Sequence, residues 1–544
     1  SSQCVISRNC RMKQGLMHST VLQRTALDAL HRRRWTEACA LATRLAAEDP
    51  SNPIGHFVAG VAALESHRVL DAQKHFARAI KLAPERPDLR LLLARSYAAS
   101  QDYDDALEAA SQAEHLLAPD DASGFDTLGV ILVQCHAHAR AADAFARAAQ
   151  LAPGNPGMRF NLGTALTFLG DLTGAEHEFE VCIALDMQHW RAHHSLSQLR
   201  RQSRDSNHIE RLSALVPLAE GRVTASTFLH MALAKELEDV GEHEAALDHC
   251  ITGKSSPKQM LRYSRSDVEA LFEALASNFP SPFSSATTSG SGADAPIFIV
   301  GMPRTGTTLV DRIISSHPHF RSAGELYNFP SVWKRALGGA DFEMFNPAHI
   351  TRARDAALDW QRIGDEYIAG TRRFAGNSPR FTDKLPHNFL YLGYIACALP
   401  KASIISVRRH PVDTCLSNFR QLFGPESPYF DYSYDLPDTA HYFILFDKLM
   451  SHWNRAFPGR ILEVGYESLV QDQERTSRRI VSHCGLDWDD ACLAFEKNDA
   501  PVATASAAQV RAPIYTSSLG RWKRHRERLA PMIRMLEDAG IDCS

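Results

Sequence analysis

The chain has no apolar run near the ~20 residues that a membrane-spanning helix needs, and its first twenty residues lack the apolar core of a secretory signal. It also has little excess charge: 59 Lys and Arg against 63 Asp and Glu leave −4 at neutral pH. That balance gives no general pull toward nucleic acid or an acidic membrane surface, so any anion site has to be local. The 11 cysteines are scattered and odd in number, without a Cys-x-x-Cys pair. Such spacing disfavours a disulfide frame or a zinc site and suits reduced, packed thiols. A soluble, cytoplasmic protein with no membrane span and no nucleic-acid partner is expected.

What is present is length and repetition. A chain of 544 residues exceeds what one core usually supports, so two or more domains are expected. Residues 1–18 show no periodic pattern and read as a disordered tail. From residue 19 the chain repeats with a period of about 34. Ala72, Phe76, Ala79 and Pro84 recur as Ala106, Ala110, Ala113 and Pro119, then as Ala141, Phe145, Ala148 and Pro153, then as Ala175, Phe179 and Cys182. Leu128-Gly129 returns one period later as Leu162-Gly163, and an earlier copy fits Ala38, Ala42 and Pro50. This resembles the code of tetratricopeptide repeats, in which small residues let paired helices approach and Pro ends the second helix. After Leu196 the pattern weakens, and Leu229–Ala234 with Gly241–Ala246 read as one divergent capping pair. Stacked repeats form a superhelix whose concave face binds a peptide or protein, or else serves only structure or self-association. Pro280–Gly292 is rich in Ser, Thr and Gly and reads as a flexible linker. The expected order is therefore repeats at 19–278, linker at 279–295 and a second domain at 296–544.

The second domain opens on Pro296-Ile297-Phe298-Ile299-Val300-Gly301, an apolar run too short for a helix. It enters the turn Met302-Pro303-Arg304-Thr305-Gly306, and Leu309-Val310-Asp311-Arg312-Ile313-Ile314 then resumes with helical spacing. The reading is strand, tight loop, helix. Gly301 and Gly306 stand at the spacing of a phosphate-binding loop, where backbone N–H groups and the positive end of a helix hold an anion. A nucleotide triphosphatase follows that glycine with Lys and then with Ser or Thr for magnesium. Here Thr307 and Thr308 follow, and the nearest cation is Arg304 inside the loop. Two hydroxyls and an arginine suit a phosphate held without metal, although a turn with no ligand has the same spacing.

Further on, Phe320–Glu325 is a short strand, a Gly and a carboxylate, and Thr382-Asp383-Lys384-Leu385-Pro386 precedes a helix expected over Phe389–Leu399. Ala402–Val407 is a second buried strand ending in Arg408-Arg409-His410-Pro411. Pro411 suits the first turn of a helix that carries Asp413 and Ser417, so this cationic strand end is a second candidate phosphate site. Ile461–Leu469 reads as a strand and turn, and Tyr515–His525 gathers hydroxyls, a Gly and several cations. Strands alternating with helices argue for a mostly parallel sheet with ligands at the strand carboxyl ends.

Taken together, the loop Pro303–Thr308, the strand end Arg409-His410-Pro411 with Ser417, and the segment Leu519-Gly520-Arg521-Trp522 resemble sulfotransferases that use 3′-phosphoadenosine 5′-phosphosulfate (PAPS). Repeats first and transferase second is an order similar to that of bacterial tetratricopeptide-repeat sulfotransferases, whose transferase half resembles tyrosylprotein sulfotransferase. The resemblance implies an α-helical superhelix followed by an α/β, P-loop-like domain. It implies that Arg304, Thr305, Gly306, Thr307 and Thr308 hold the 5′-phosphosulfate, that Arg409 and Ser417 hold the 3′-phosphate, and that Tyr466 lies near the adenosine. Ser517, Ser518, Gly520 and Arg521 would belong to a closing loop, Glu325 would be the general base, and Lys384 would stabilise charge with Arg304. No metal is required. Thr305 stands where Ser is commoner, His410 where Asp or Asn is commoner, and Arg408 adds a second arginine before the matched one.

The implied reaction moves a sulfuryl group in line to an acceptor hydroxyl of protein tyrosine, a carbohydrate or a small alcohol, while the repeats recruit substrate or partner. Two other readings stand beside it. An ATP-dependent phosphotransferase is opposed by the missing lysine after Gly306. A catalytically silent scaffold gives no reason to keep Arg304, Glu325, Lys384, Arg409 and Ser417 together.

Overall fold

The computed structural model describes residues 20–283, 289–338, 344–424, 427–498, 500–502, 510, 514 and 519–544. Its contacts divide the chain into two compact units, one up to Ala165 and one from Leu166 onward.

The first unit is a stack of antiparallel helix pairs. Helix Pro53–Glu65 packs on Val69–Leu82, and Ala122–Gln134 packs on His138–Leu151. The repeated small and large residues explain the pairing. A Cβ at Gly60 would lie 2.5 Å from the Phe76 ring, and one at Gly129 would lie 2.5 Å from the Phe145 ring. Only glycine admits the aromatic ring there, so the same knob meets the same gap in two copies. Ala72, Ala79, Ala106, Ala113, Ala141 and Ala148 are buried as the period requires.

The second unit holds further helices and the sheet. Helices Val223–Val240 and His243–Met260 occupy the place of the capping pair, and Arg265–Asn278 leads to the sheet. Strands β1 (Pro296–Gly301), β2 (Phe320–Ser322), β3 (Arg380–Asp383), β4 (Ser403–Arg408) and β5 (Ile461–Gly465) lie in the order β2-β3-β1-β4-β5. Every pairing is parallel. β1 is buried along its whole length, as a central strand covered on both faces must be. The carboxyl ends of all five strands therefore open on one edge, where parallel sheets bind ligands.

One apolar core runs from Met231, Leu247 and Leu275 to Phe298, Phe389 and Trp453. Phe279 sits inside it, with its ring centroid 5.0 Å from that of Tyr394 and 5.4 Å from that of Trp453. The Ser- and Gly-rich stretch that follows lies on this domain wherever it is described. Phe283 N donates to Ala456 O, and the buried Ser291 donates its N–H to Ala398 O at 2.8 Å. The nine described cysteines are free thiols, all buried except Cys39. No described helix is long and apolar enough to cross a membrane.

Candidate functional site

β1 hands over to the loop Met302–Gly306, and the backbone there is left-handed at Arg304 (φ 67°) and at Gly306 (φ 103°). Glycine takes that conformation freely, whereas an ordinary side chain is strained by ~1–2 kcal/mol. Arg304 carries this strain at the centre of the loop, as functional turns often do. Thr305 is buried, and its hydroxyl donates to Met302 O at 2.8 Å, which tightens the turn. Helix Thr307–Ser315 begins directly after Gly306, so its first N–H groups point at the loop. Arg304, Gly306, Thr307 and Thr308 line a cavity of about 800 Å³. Thr305 does not reach its wall.

β4 and β5 supply the second side. The Arg409 guanidinium lies 4.9 Å from the centre of the Tyr466 ring and donates to Arg304 O at 3.3 Å. Tyr466 follows β5 immediately, and a Cβ on Gly306 would lie 2.5 Å from its ring. Ser417, on helix Pro411–Phe419, faces the same cavity. Arg408 points elsewhere, to Asp447 and Glu463, so only the second of the two adjacent arginines serves the cavity.

β2 and β3 supply the third side. Ala323 N donates to Thr382 O and Lys384 N to Gly324 O, both at 2.9 Å, so the ends of the two strands are stitched together. Lys384 Nζ then donates to Glu325 Oε1. The lysine is 1% exposed, while the glutamate side chain is 37% exposed and forms part of the cavity wall. Behind them lie two buried carboxyls. Burial pushes Asp383 up to about 8, and the Tyr367 hydroxyl donates to its Oδ2 at 2.9 Å. Burial likewise raises Asp311, which accepts from Ser322 Oγ at 2.8 Å and from Thr382.

The turn at Gly520–Trp522 is anchored by Asp413, a residue of the first turn of helix Pro411–Phe419. Asp413 accepts from Gly520 N at 2.8 Å and from Trp522 N at 3.0 Å. The His410 and Trp522 rings stack at 5.1 Å. Arg521 lines the cavity and Gly520 holds the turn behind it; Ser517 and Ser518 lie outside the described residues. Asn418, one turn on, has a similar bracing part. Its Nδ2 donates to Pro303 O at 2.7 Å, and the Tyr432 hydroxyl donates to its Oδ1 at 2.8 Å. Both residues flank legible signals, but the bonds that tie them to the loop and to the Gly520–Trp522 turn reach more than 100 positions along the chain.

The fourth wall comes from the part N-terminal to the sheet, through Arg200, just past helix Trp190–Gln198, and through Lys235 and Glu238 on helix Val223–Val240. Burial opposes ionisation of Glu238. Arg420 at 3.4 Å, His243 at 3.1 Å and Arg521 nonetheless hold it below the usual carboxylate range. The cavity thus gathers Arg304, Arg409, Arg420, Arg521 and Arg524, with Arg200, Arg201 and Lys235, against the carboxylates of Glu238, Asp239, Glu325 and Asp413, an excess of positive charge that suits a polyanionic ligand. Glu325, at its edge, is placed to take a proton. Among the described residues, no three His, Cys, Asp or Glu side chains are grouped as metal ligands would be.

Comparison with known proteins agrees with both halves. Residues 296–490 match a family model described as the sulfotransferase family, and residues 63–122 match a tetratricopeptide repeat. An uncharacterised protein of Aquifex aeolicus is 28% identical over 416 residues, which cover 75% of this chain and 54% of that protein. A putative protein-tyrosine sulfotransferase of Caenorhabditis briggsae is 27% identical over 235 residues, covering 42% of this chain and 80% of the relative. Among solved structures, the sulfotransferase domain of the Synechococcus PCC 7002 olefin synthase aligns with 48% of this chain and 98% of its own, at 20% identity and a TM-score of 0.34. The chain spans about half the length of its Aquifex relative.

Proposed function

From the premise of a sulfotransferase domain preceded by tetratricopeptide repeats, we propose that the protein transfers the sulfuryl group of PAPS to an acceptor hydroxyl. The observation that carries this reading is the convergence of Arg304, Arg409, Ser417 and Glu325 on one cavity, with Lys384 bonded to Glu325. A phosphate loop without a lysine after Gly306, joined to a second cationic strand end, suits a nucleotide with phosphate on both sides of its ribose. Arg304 and the N–H groups of Thr307 and Thr308 would face the 5′ end, and Arg409 and Ser417 the 3′-phosphate. The Tyr466 ring, packed beside Gly306 and under the Arg409 guanidinium on the cavity wall, would lie near the adenosine. Arg521, on the segment that Asp413 anchors, would close the site.

In the transfer, the acceptor oxygen bonds to sulfur as sulfur parts from the 5′-phosphate oxygen. Glu325 takes the acceptor proton, and the bisphosphate leaves with the electron pair of the broken bond. Arg304 and Lys384 offset the charge that builds on the leaving oxygen, which is the larger part of catalysis in transfers of this kind. We further propose that the acceptor is a protein tyrosine, a carbohydrate or a small alcohol, and that the repeats bind a peptide or protein that delivers it.

The decisive measurement is thermal stability with 3′,5′-adenosine bisphosphate, against ATP with magnesium, in the parent, Arg304→Ala and Arg409→Ala. A ligand held only by the folded state raises apparent stability by mass action, ~2.7 kcal/mol at a hundred times Kd. Stabilisation by the bisphosphate alone, lost in both variants, is expected. Stabilisation by ATP and magnesium instead would make the protein a phosphotransferase.

A further inference from the structure

Lys254 lies on helix His243–Met260, outside every sulfotransferase motif, and is 1% exposed. Its ammonium donates to Gln421 O and to Ser433 O, each at 2.8 Å. It also faces the Phe419 ring at 5.3 Å and the Tyr434 ring at 5.1 Å. Among the described residues no carboxylate pairs with it. Burial lowers it to about 7, with Cys250 the main opposing influence. A buried ammonium without a counter-ion costs several kcal/mol of desolvation, and an apolar side chain of similar length would pack there at less cost. Its contribution is therefore directional. Gln421 lies just beyond helix Pro411–Phe419, where carbonyls have no intrahelical partner and a cation suits the helix dipole.

From this point a chain of bonds leads to the donor loop. Ser433 adjoins Tyr432, whose hydroxyl donates to Asn418 Oδ1 at 2.8 Å. Asn418 donates to Pro303 O at 2.7 Å and to Thr414 O at 2.9 Å. Pro303 precedes Arg304, and Asn418 follows Ser417. One lysine thus holds the end of the helix that carries Ser417 and, through two side chains, the loop that carries Arg304.

We propose that Lys254 is a positioning residue of the donor site, by which a helix of the N-terminal part sets the distance between the two phosphate-binding elements. The proposal rests on the donor reading given above. It predicts that affinity for the bisphosphate depends on a residue that does not touch it.

The test is titration calorimetry of the full chain with 3′,5′-adenosine bisphosphate, in the parent, Lys254→Met, Tyr432→Phe and Leu229→Ala. Leu229 is buried among Leu212 and Leu233, so its truncation lowers stability without touching the chain of bonds. Lys254→Met is expected to raise Kd about tenfold, within the range of couplings carried by packed networks. Tyr432→Phe should raise it in the same direction, and the double variant should be little worse than Lys254→Met alone. Leu229→Ala should lower Tm and leave Kd at the parent value. Parent-like affinity in a folded Lys254→Met overturns the proposal. If that variant does not fold, parent-like affinity in Tyr432→Phe does so. A parent that does not bind the bisphosphate overturns the donor reading first, and the proposal falls with it.

Discussion

Glu325 and Lys384 meet because two short parallel strands end side by side, and each limits what the other can do. The lysine holds one carboxylate oxygen, which leaves the other to accept a proton. Glu325→Gln keeps a carbonyl for that bond and removes the proposed base. Its turnover with PAPS should fall by ~10²–10⁴-fold, the usual contribution of a general base, while bisphosphate affinity stays at the parent value. Parent-like turnover in this variant would place the base elsewhere. Asp383, next to Lys384, gives a separate pH signature. Its folded value of about 8 lies above the ~3.9 of an unfolded aspartate. Between those values the folded state binds more protons than the unfolded state, so stability falls as pH rises through the window. Asp383→Asn removes that titration and keeps one carbonyl oxygen for the Tyr367 hydroxyl. Its Tm should drop by a few degrees less than the parent's between about pH 5 and about pH 8.

At the scale of elements, the site is a set of strand ends held in place by side chains on the helices that follow. β1 is legible because its unbroken apolar run stops at Gly301, and β4 because its mostly apolar run, broken only by Ser403 and Ser406, stops at Arg408. β3 is not, since Arg380–Asp383 has a charge at each end and is buried only because β1 and β2 flank it. The cationic loops could be read from residue type and spacing. Asp413 and Asn418 could not, because an aspartate in the first turn of a helix usually serves that helix alone. Here Asp413 reaches the N–H groups of Gly520 and Trp522 and binds that turn to the β4 side of the cavity. Asp413→Ala should cost about 3–6 kcal/mol, the worth of two hydrogen bonds to a charged group, and should weaken the bisphosphate by freeing Arg521. Asp413→Asn, which keeps one acceptor, should fall between the two. Denaturant unfolding and titration of the three proteins measure both effects.

At the scale of the whole molecule, composition and packing draw the boundary in different places. The period of about 34 and the Ser- and Gly-rich stretch together put a seam near residues 279–295. Contacts put the division at Ala165, and helices past that point contribute Lys235, Glu238 and Lys254 to the cavity and its supports. A repeat pattern reports how helices pair with one another. It carries no sign of a face turned toward a different kind of domain. The consequence can be tested by truncation. Everything that lines the cavity lies after residue 165, so a fragment of residues 166–544 should bind the bisphosphate with the parent Kd. A fragment starting at residue 289 loses the buried Leu271, Phe272, Leu275 and Phe279 as well as Lys254. Four such side chains are worth roughly 1.5–3 kcal/mol each, a sum of the same size as the ~5–15 kcal/mol that holds a typical domain folded. That shorter fragment should therefore fail to fold cooperatively. If it folds and binds the bisphosphate as tightly as the full chain, the helices before the sheet are a detachable arm, and the seam that composition suggests is the true one.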